Sequence, residues 1–232
     1  MKVLAIDTAT EACSVALLNE GNVHESYVVE QNRHSALLLA MIDSLLKDHK
    51  LELSDLDALA YDHGPGSFTG VRIGAGVVQG LSIAHSLPVI GVSSLGILAE
   101  MIPGRLILPA IDARMGQVYW SLFARKDTTV EQIIAERVDG PEDVLEQLTA
   151  QDDSFSDLSA IGSGWLRYAA LESFLEALPD SSYGDDPYPR AVALVDWLVR
   201  ECRDQSLEDL ARDSENPLYV RNDVAHKKLQ QG

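Results

Sequence analysis

The chain writes one order of strands and helices twice, and residues mark the repeat. "AIDTATEACSVAL" begins at Ala5 and "AIDARMGQVYWSL" at Ala110; laid together without a gap, these thirteen-residue stretches share Ala-Ile-Asp at the start and Leu at the end. Four identities in thirteen are weak alone, but both stretches sit at the first hairpin of their half, which signals duplication. In the first half, Lys2–Asp7, "ACSVALLN" and "VHESYVVE" read as a strand meander turning at Gly21-Asn22. Ser35 caps a helix to about Asp48, "DALAYD" is a strand, Ser67 opens a helix over about 67–85, "PVIGVS" is a strand, and Ser94 opens a helix to about Met101. Pro103-Gly104 ends this half. Then "LILPAID", "QVYWSLFAR" and "VEQIIAERV" read as strands, "PEDVLEQL" as a helix with proline first, "LSAIGSG" as a strand, "WLRYAALESFLEAL" as one helix, "SSYGDDPYP" as a loop and Ala191–Arg203 as a last helix. The reading is an α/β chain of two subdomains, 1–103 and 104–212, with a segment 213–232 free to pack back on the N-terminal half.

Bulk properties narrow the function. The 232 residues are 46% hydrophobic, enough for a sizeable core. No run of about 18 apolar residues is present, so no membrane helix is expected. Asp7 and Glu11 interrupt the apolar start, against a signal peptide, and Cys13 and Cys202 make no paired motif; a cytoplasmic protein with structural thiols is expected. A net charge of -18 opposes binding to a phosphate backbone by this chain alone. The basic residues of the tail, Arg221, Lys227 and Lys228, read as a solvated terminus.

Two hairpins, each ending its first strand in an aspartate (Asp7, Asp112), resemble the actin-like ATPase and sugar kinase superfamily, of ribonuclease H-like fold. There the hairpin turns wrap phosphates through close backbone amides, and the carboxylates manage metal and nucleophile. Here the turns are Thr8-Ala9-Thr10-Glu11 and Ala113-Arg114-Met115-Gly116, whose side chains hinder such contact. Gly162-Ser163-Gly164 resembles the superfamily's adenine-side loop and reads equally as a plain turn into a helix. The set Asp7, Thr8, Asp112, Arg114, Gly162 and Gly164 is expected to be a relic nucleotide cleft, without efficient catalysis.

"HGPGSFTGVRIGAGVVQG", from His63, raises the same question of phosphate. A phosphate loop needs a Lys-Ser/Thr pair after its last glycine, and no lysine is present. On a wheel, Gly66, Gly70, Gly74, Gly76 and Gly80 fall on one half with Val77, Leu81 and Ala84, opposite Arg72, Ala75, Gln79 and Ser82. Interior glycine costs about 1 kcal/mol against alanine, which close packing must offset, on the protein's own sheet or on a partner. The preceding helix carries Leu37, Leu38, Leu39, Met41, Ile42, Leu45 and Leu46 over an arc of about 200°, twice what one buried face needs. Together the pair suggests a subunit interface, with Leu38, Met41, Ile42, Leu45, Gly70, Gly74, Val77 and Leu81 as its candidates. His34 has no second histidine one turn on for a metal, His63 reads as a solvated loop residue, and Ser67 with His63 is too local for a triad.

"VLAIDTATEACSVAL" from Val3, "GPGSFTGVRIG" from Gly64, "IDARMGQVYW" from Ile111 and "PLYVRN" from Pro217 together resemble the TsaB (YeaZ) family. The resemblance implies an actin-like two-domain fold and a non-catalytic role in making threonylcarbamoyladenosine in tRNA. It implies a partner, TsaD, that transfers threonylcarbamoyl from its adenylate to the adenosine beside the anticodon of tRNAs reading ANN codons. It also implies TsaE as a further component, a homodimer when alone, tRNA contact only through the complex, and association through the first two helices. No cofactor is expected for this chain itself; ATP or ADP is compatible with the complex. The TsaD-type His-x-x-x-His metal site is missing, and Arg114-Met115 stand where TsaD keeps glycines. The competing readings are an active small-metabolite kinase or ATPase of the superfamily and, more remotely, a peptidase. The roles of Tyr219 and Arg221 are left open.

Overall fold

The computed structural model describes residues 1–30, 33–150, 155 and 157–213. The C-terminal motif with Tyr219 and Arg221 lies outside them. Strands β1 (Lys2–Asp7), β2 (Ala12–Asn19) and β3 (Asn22–Val29) form the antiparallel meander, followed by α1 (His34–Asp48), a 3-10 turn (Leu53–Asp55), β4 (Ala58–Asp62), α2 (Phe68–His85), β5 (Val89–Val92) and α3 (Ser94–Met101). The second half has β6 (Leu106–Asp112), β7 (Val118–Lys126), β8 (Thr129–Asp139), α4 (Pro141–Thr149), β9 (Leu158–Ile161), α5 (Ser163–Arg167), α6 (Ala169–Ala177), β10 (Ser182–Tyr183), α7 (Ala191–Glu201) and α8 (Leu207–Asp213). The sheets have equivalent orders, β3-β2-β1-β4-β5 and β10-β9-β6-β7-β8. In each, an antiparallel meander is extended by parallel strands: this is the duplicated actin-like, ribonuclease H-like architecture.

Central strands here read as nearly continuous apolar runs because both sheet faces are covered. In β1 the side chains alternate: Leu4 and Ile6 pack under Leu38, Ile42, Leu45, Ala75 and Val78 of α1 and α2, whereas Val3 and Ala5 face Ala191, Leu194, Val195 and Leu198 of α7. Thus the last long helix of the second half covers the first sheet. The exchange is mutual: Leu95, Leu98 and Ala99 of α3 pack on Ile107, Ile111, Phe123 and Ile161 of the second sheet. Glu100 pins the exchange, accepting from both terminal nitrogens of Arg200 at 2.7 and 2.6 Å, with Arg125 Nη1 at 4.0 Å.

Several sequence expectations need correction. The first helix starts at His34, its N-cap position is Arg33 with no side-chain cap, and Ser35 lies inside it. The single helix expected from Trp165 is broken at Tyr168, whose extended backbone (φ -123°, ψ 111°) is held by its hydroxyl, which reaches Asp112 Oδ1 at 2.9 Å. The loop at 181–189 contains β10, which pairs with β9, and α8 follows α7 where no helix was read. Among the described residues no helix is long and apolar enough to cross a membrane.

Candidate functional site

The two hairpin turns meet between the halves. Asp7 Oδ1 accepts from Ala9 N at 2.8 Å, folding the first turn back on itself. In the second turn Arg114, Met115 and Gly116 have positive φ (61°, 56° and 76°), a conformation that costs a non-glycine residue about 1–2 kcal/mol. That shape aims Arg114 across the cleft: Nη2 lies 2.5 Å from Glu11 Oε1 and Nη1 3.1 Å from Asp112 Oδ2. Asp112 Oδ1 takes the amide of Arg114 at 2.9 Å as well as the Tyr168 hydroxyl. A carboxylate–guanidinium–carboxylate bridge therefore spans the two turns. The neighbouring loop is tied to β3: Tyr27 donates to Asp186 at 3.3 Å, and Arg190 pairs with Glu25.

Gly162 and Gly164 are used against β6. A Cβ on Gly162 would lie 2.3 Å from Ala110 O, and Gly162 has φ +111°; one on Gly164 would lie 2.9 Å from Val118 Cγ1. Close packing of the turn into a helix accounts for both.

The glycine segment divides in two. Ser67 caps α2, its Oγ accepting from Gly70 N at 3.3 Å, and its own amide donates to Ala9 O at 2.6 Å. A Cβ on Gly66 would sit 2.2 Å from Ala9 O, on Gly70 2.0 Å from Thr8 O, and on Gly74 2.7 Å from Thr8 Oγ1. Gly70 and Gly74, expected on an association face, are instead buried against the chain's own first turn. Gly76 and Gly80 are exposed, with nothing within 4 Å of an added Cβ. The glycine arc is about 160° wide at about 100° per residue, so one edge turns inward and the other outward. Ala75, placed opposite by the wheel, is buried.

The same correction applies to α1. Leu38, Ile42 and Leu45 belong to the core under the first sheet, at 0, 4 and 8% exposure. Met41, Val77 and Leu81 are half-buried. The outer face carries other apolar residues: Leu39 (56% exposed), Phe68 (57%) and Ile83 (83%). Arg72 lies 3.4 Å above the Phe68 ring. An open groove of about 610 Å³ runs between Leu39, Leu46, Leu51, Leu53 and Leu81, with Lys47 and Glu52 on its rim.

Sequence reasoning missed Asp62. It is buried beside Asp7, and its Oδ1 accepts from Gly64 N at 2.8 Å and from Ser94 Oγ at 2.5 Å. Burial, then the charge of Asp62, raises the Asp7 carboxyl well above the ordinary range; burial pushes Asp62 up as well. His63, expected to be solvated, is buried. Among the described residues no three His, Cys, Asp or Glu side chains gather as a metal site would require.

Comparison with known proteins places this geometry. The family described as TsaD, tRNA N6-adenosine threonylcarbamoyltransferase, matches residues 23–214. The chain is 40% identical over 239 aligned positions to "tRNA threonylcarbamoyladenosine biosynthesis protein TsaB" of Escherichia coli, covering 99% of this chain and 98% of that one. It is 36% identical over 241 positions to the protein of the same name from Haemophilus influenzae, covering 99% and 97%. The solved structure of YeaZ from Pseudomonas aeruginosa superposes with a TM-score of 0.74 at 35% identity, covering 94% of this chain and 99% of that one. With relatives this similar along nearly its whole length, the chain belongs to the TsaB (YeaZ) family.

Proposed function

We propose that this chain is the non-catalytic partner of TsaD in threonylcarbamoyladenosine synthesis on tRNA, acting with TsaE, with the transfer from threonylcarbamoyl adenylate carried out by TsaD. The names of its relatives support the pathway. The observation that carries the non-catalytic reading is the Arg114 bridge, which with Glu11 and Asp112 spans the two turns where a phosphate-handling member needs bare backbone amides. Association is assigned to the outer face of α1 and α2, with Leu39 and Ile83 as anchors and the exposed Gly76 and Gly80 leaving room for close approach, for TsaD and for a second copy alike. ATP or ADP enters this reading only in the complex, and tRNA only through it, given the net charge of -18.

The test is reconstitution. This chain, TsaD and TsaE are mixed with a tRNA substrate, threonylcarbamoyl adenylate and ATP, and modified adenosine is measured by mass spectrometry of nucleosides. Modification should require all three proteins and survive Asp112→Ala in this chain. Transfer or ATP turnover by the chain alone would instead favour an active kinase or ATPase.

A further inference from the structure

We infer that Asp7 and Asp62 form a single acid–carboxylate unit with one proton held between them, fastening the first hairpin turn to the starts of α2 and α3. Sheet register brings them together. β1 and β4 are parallel with Ile6 beside Tyr61, so the next residues, Asp7 and Asp62, are neighbours at the roughly 5 Å spacing of paired strands. Both are sealed from solvent, at 0 and 1% exposure. Each spends Oδ1 on the protein: Asp7 on Ala9 N, Asp62 on Gly64 N and Ser94 Oγ. Each keeps a buried Oδ2 that has no hydrogen-bond partner. Two ionised carboxylates side by side offer only lone pairs, so these two oxygens can satisfy each other only with a proton on one of them.

Among the described residues no Lys or Arg forms an ion pair with either carboxylate. The groups facing the pair are Glu25 and Tyr27 of β3 and Cys13 of β2, with His63 following Asp62. α7 carries Asp196, and Arg190, the residue just before it, is held by Glu25 and Asp186. α2 brings Gly70 and Gly74 against Thr8, and α3 brings Ser94. Asp62, whose Oδ1 gathers both the Gly64 amide and the Ser94 hydroxyl, is the carboxylate, and Asp7, which accepts the Ala9 amide alone, is the acid. An aspartate occupied as a neutral hydrogen-bond donor is not available to manage a metal ion.

The sign of the pH effect follows. The folded-state values lie above the ordinary unfolded value near ~3.9, so the unit's stabilisation is complete below that value and is lost as pH rises through the raised folded value. The melting temperature of the purified chain is measured from about pH 5 to about pH 9 for the native protein, Asp7→Asn, Asp62→Asn and the double variant. In either single variant an amide N–H replaces the shared proton. The native protein should lose melting temperature toward alkaline pH relative to both single variants, whose curves should be flatter. In the double variant two amide groups compete for one geometry, so its loss should exceed the sum of the single effects. Infrared spectra of the native protein provide a readout that does not depend on any variant folding: the carbonyl stretch of a protonated carboxylic acid should be present at neutral pH and fade at alkaline pH. Absence of that band, equal pH slopes in all proteins, or a magnesium-dependent rise in melting temperature that Asp7→Asn abolishes would overturn the assignment.

Discussion

At the scale of single residues, identical letters do opposite things. Gly70 and Gly76 belong to one helix, yet an added methyl meets Thr8 O at 2.0 Å in the first case and nothing in the second. Gly70→Ala should therefore destabilise the chain by about 1–3 kcal/mol or more, the cost of overpacking outweighing the gain in helix propensity. Gly76→Ala should stabilise it by up to about 1 kcal/mol. Urea unfolding of the two variants decides the matter, and equal shifts of the same sign would contradict the packing described here. Arg114 illustrates a balance of small effects. Its side chain is 59% exposed, so the bridge to Glu11 is worth only about 0–1 kcal/mol, while its positive φ costs about 1–2 kcal/mol. Arg114→Gly should leave stability within about 1 kcal/mol of native in the same unfolding experiment. A loss several times larger would mean that the bridge holds the halves together by itself.

At the scale of elements, α1 and α2 are two-sided helices. Their inner sides complete the core of the first sheet, and their outer sides carry Leu39 and Ile83. Ile83→Glu should leave the fold intact, because the side chain is 83% exposed, while weakening association with TsaD by tenfold or more on titration, the usual effect of losing one anchor worth about 1.4 kcal/mol. Gly74→Arg is a different experiment: it forces a long side chain into Thr8 and should lower the melting temperature before it affects any partner. Size-exclusion chromatography with TsaD, beside circular dichroism of each variant alone, separates the two effects. A folded Ile83→Glu protein that binds normally would remove the outer face from the interface.

At the scale of the whole molecule, the halves are joined by exchange of helices, with α3 on the second sheet and α7 on the first. The Glu100–Arg200 pair lies at that crossing, with side chains only 8 and 15% exposed. Removing one member leaves a buried charge without its partner, so Arg200→Met should cost about 3–5 kcal/mol and speed hydrogen exchange in both α3 and α7. Faster exchange in α7 alone would show that the two helices do not act as one joint. The sequence by itself determined the order of the elements up to β9, the duplication, the missing phosphate-turn glycines and the family, because turn chemistry, hydrophobic period and motif spacing are local properties. Only the tertiary structure decided which glycines face inward, that Asp62 stands beside Asp7, that Arg114 reaches Glu11, and that each half lends a helix to the other. A helical period shows that a helix has an apolar side and not what covers it. A carboxylate 55 residues away becomes a neighbour only when two strands settle into register.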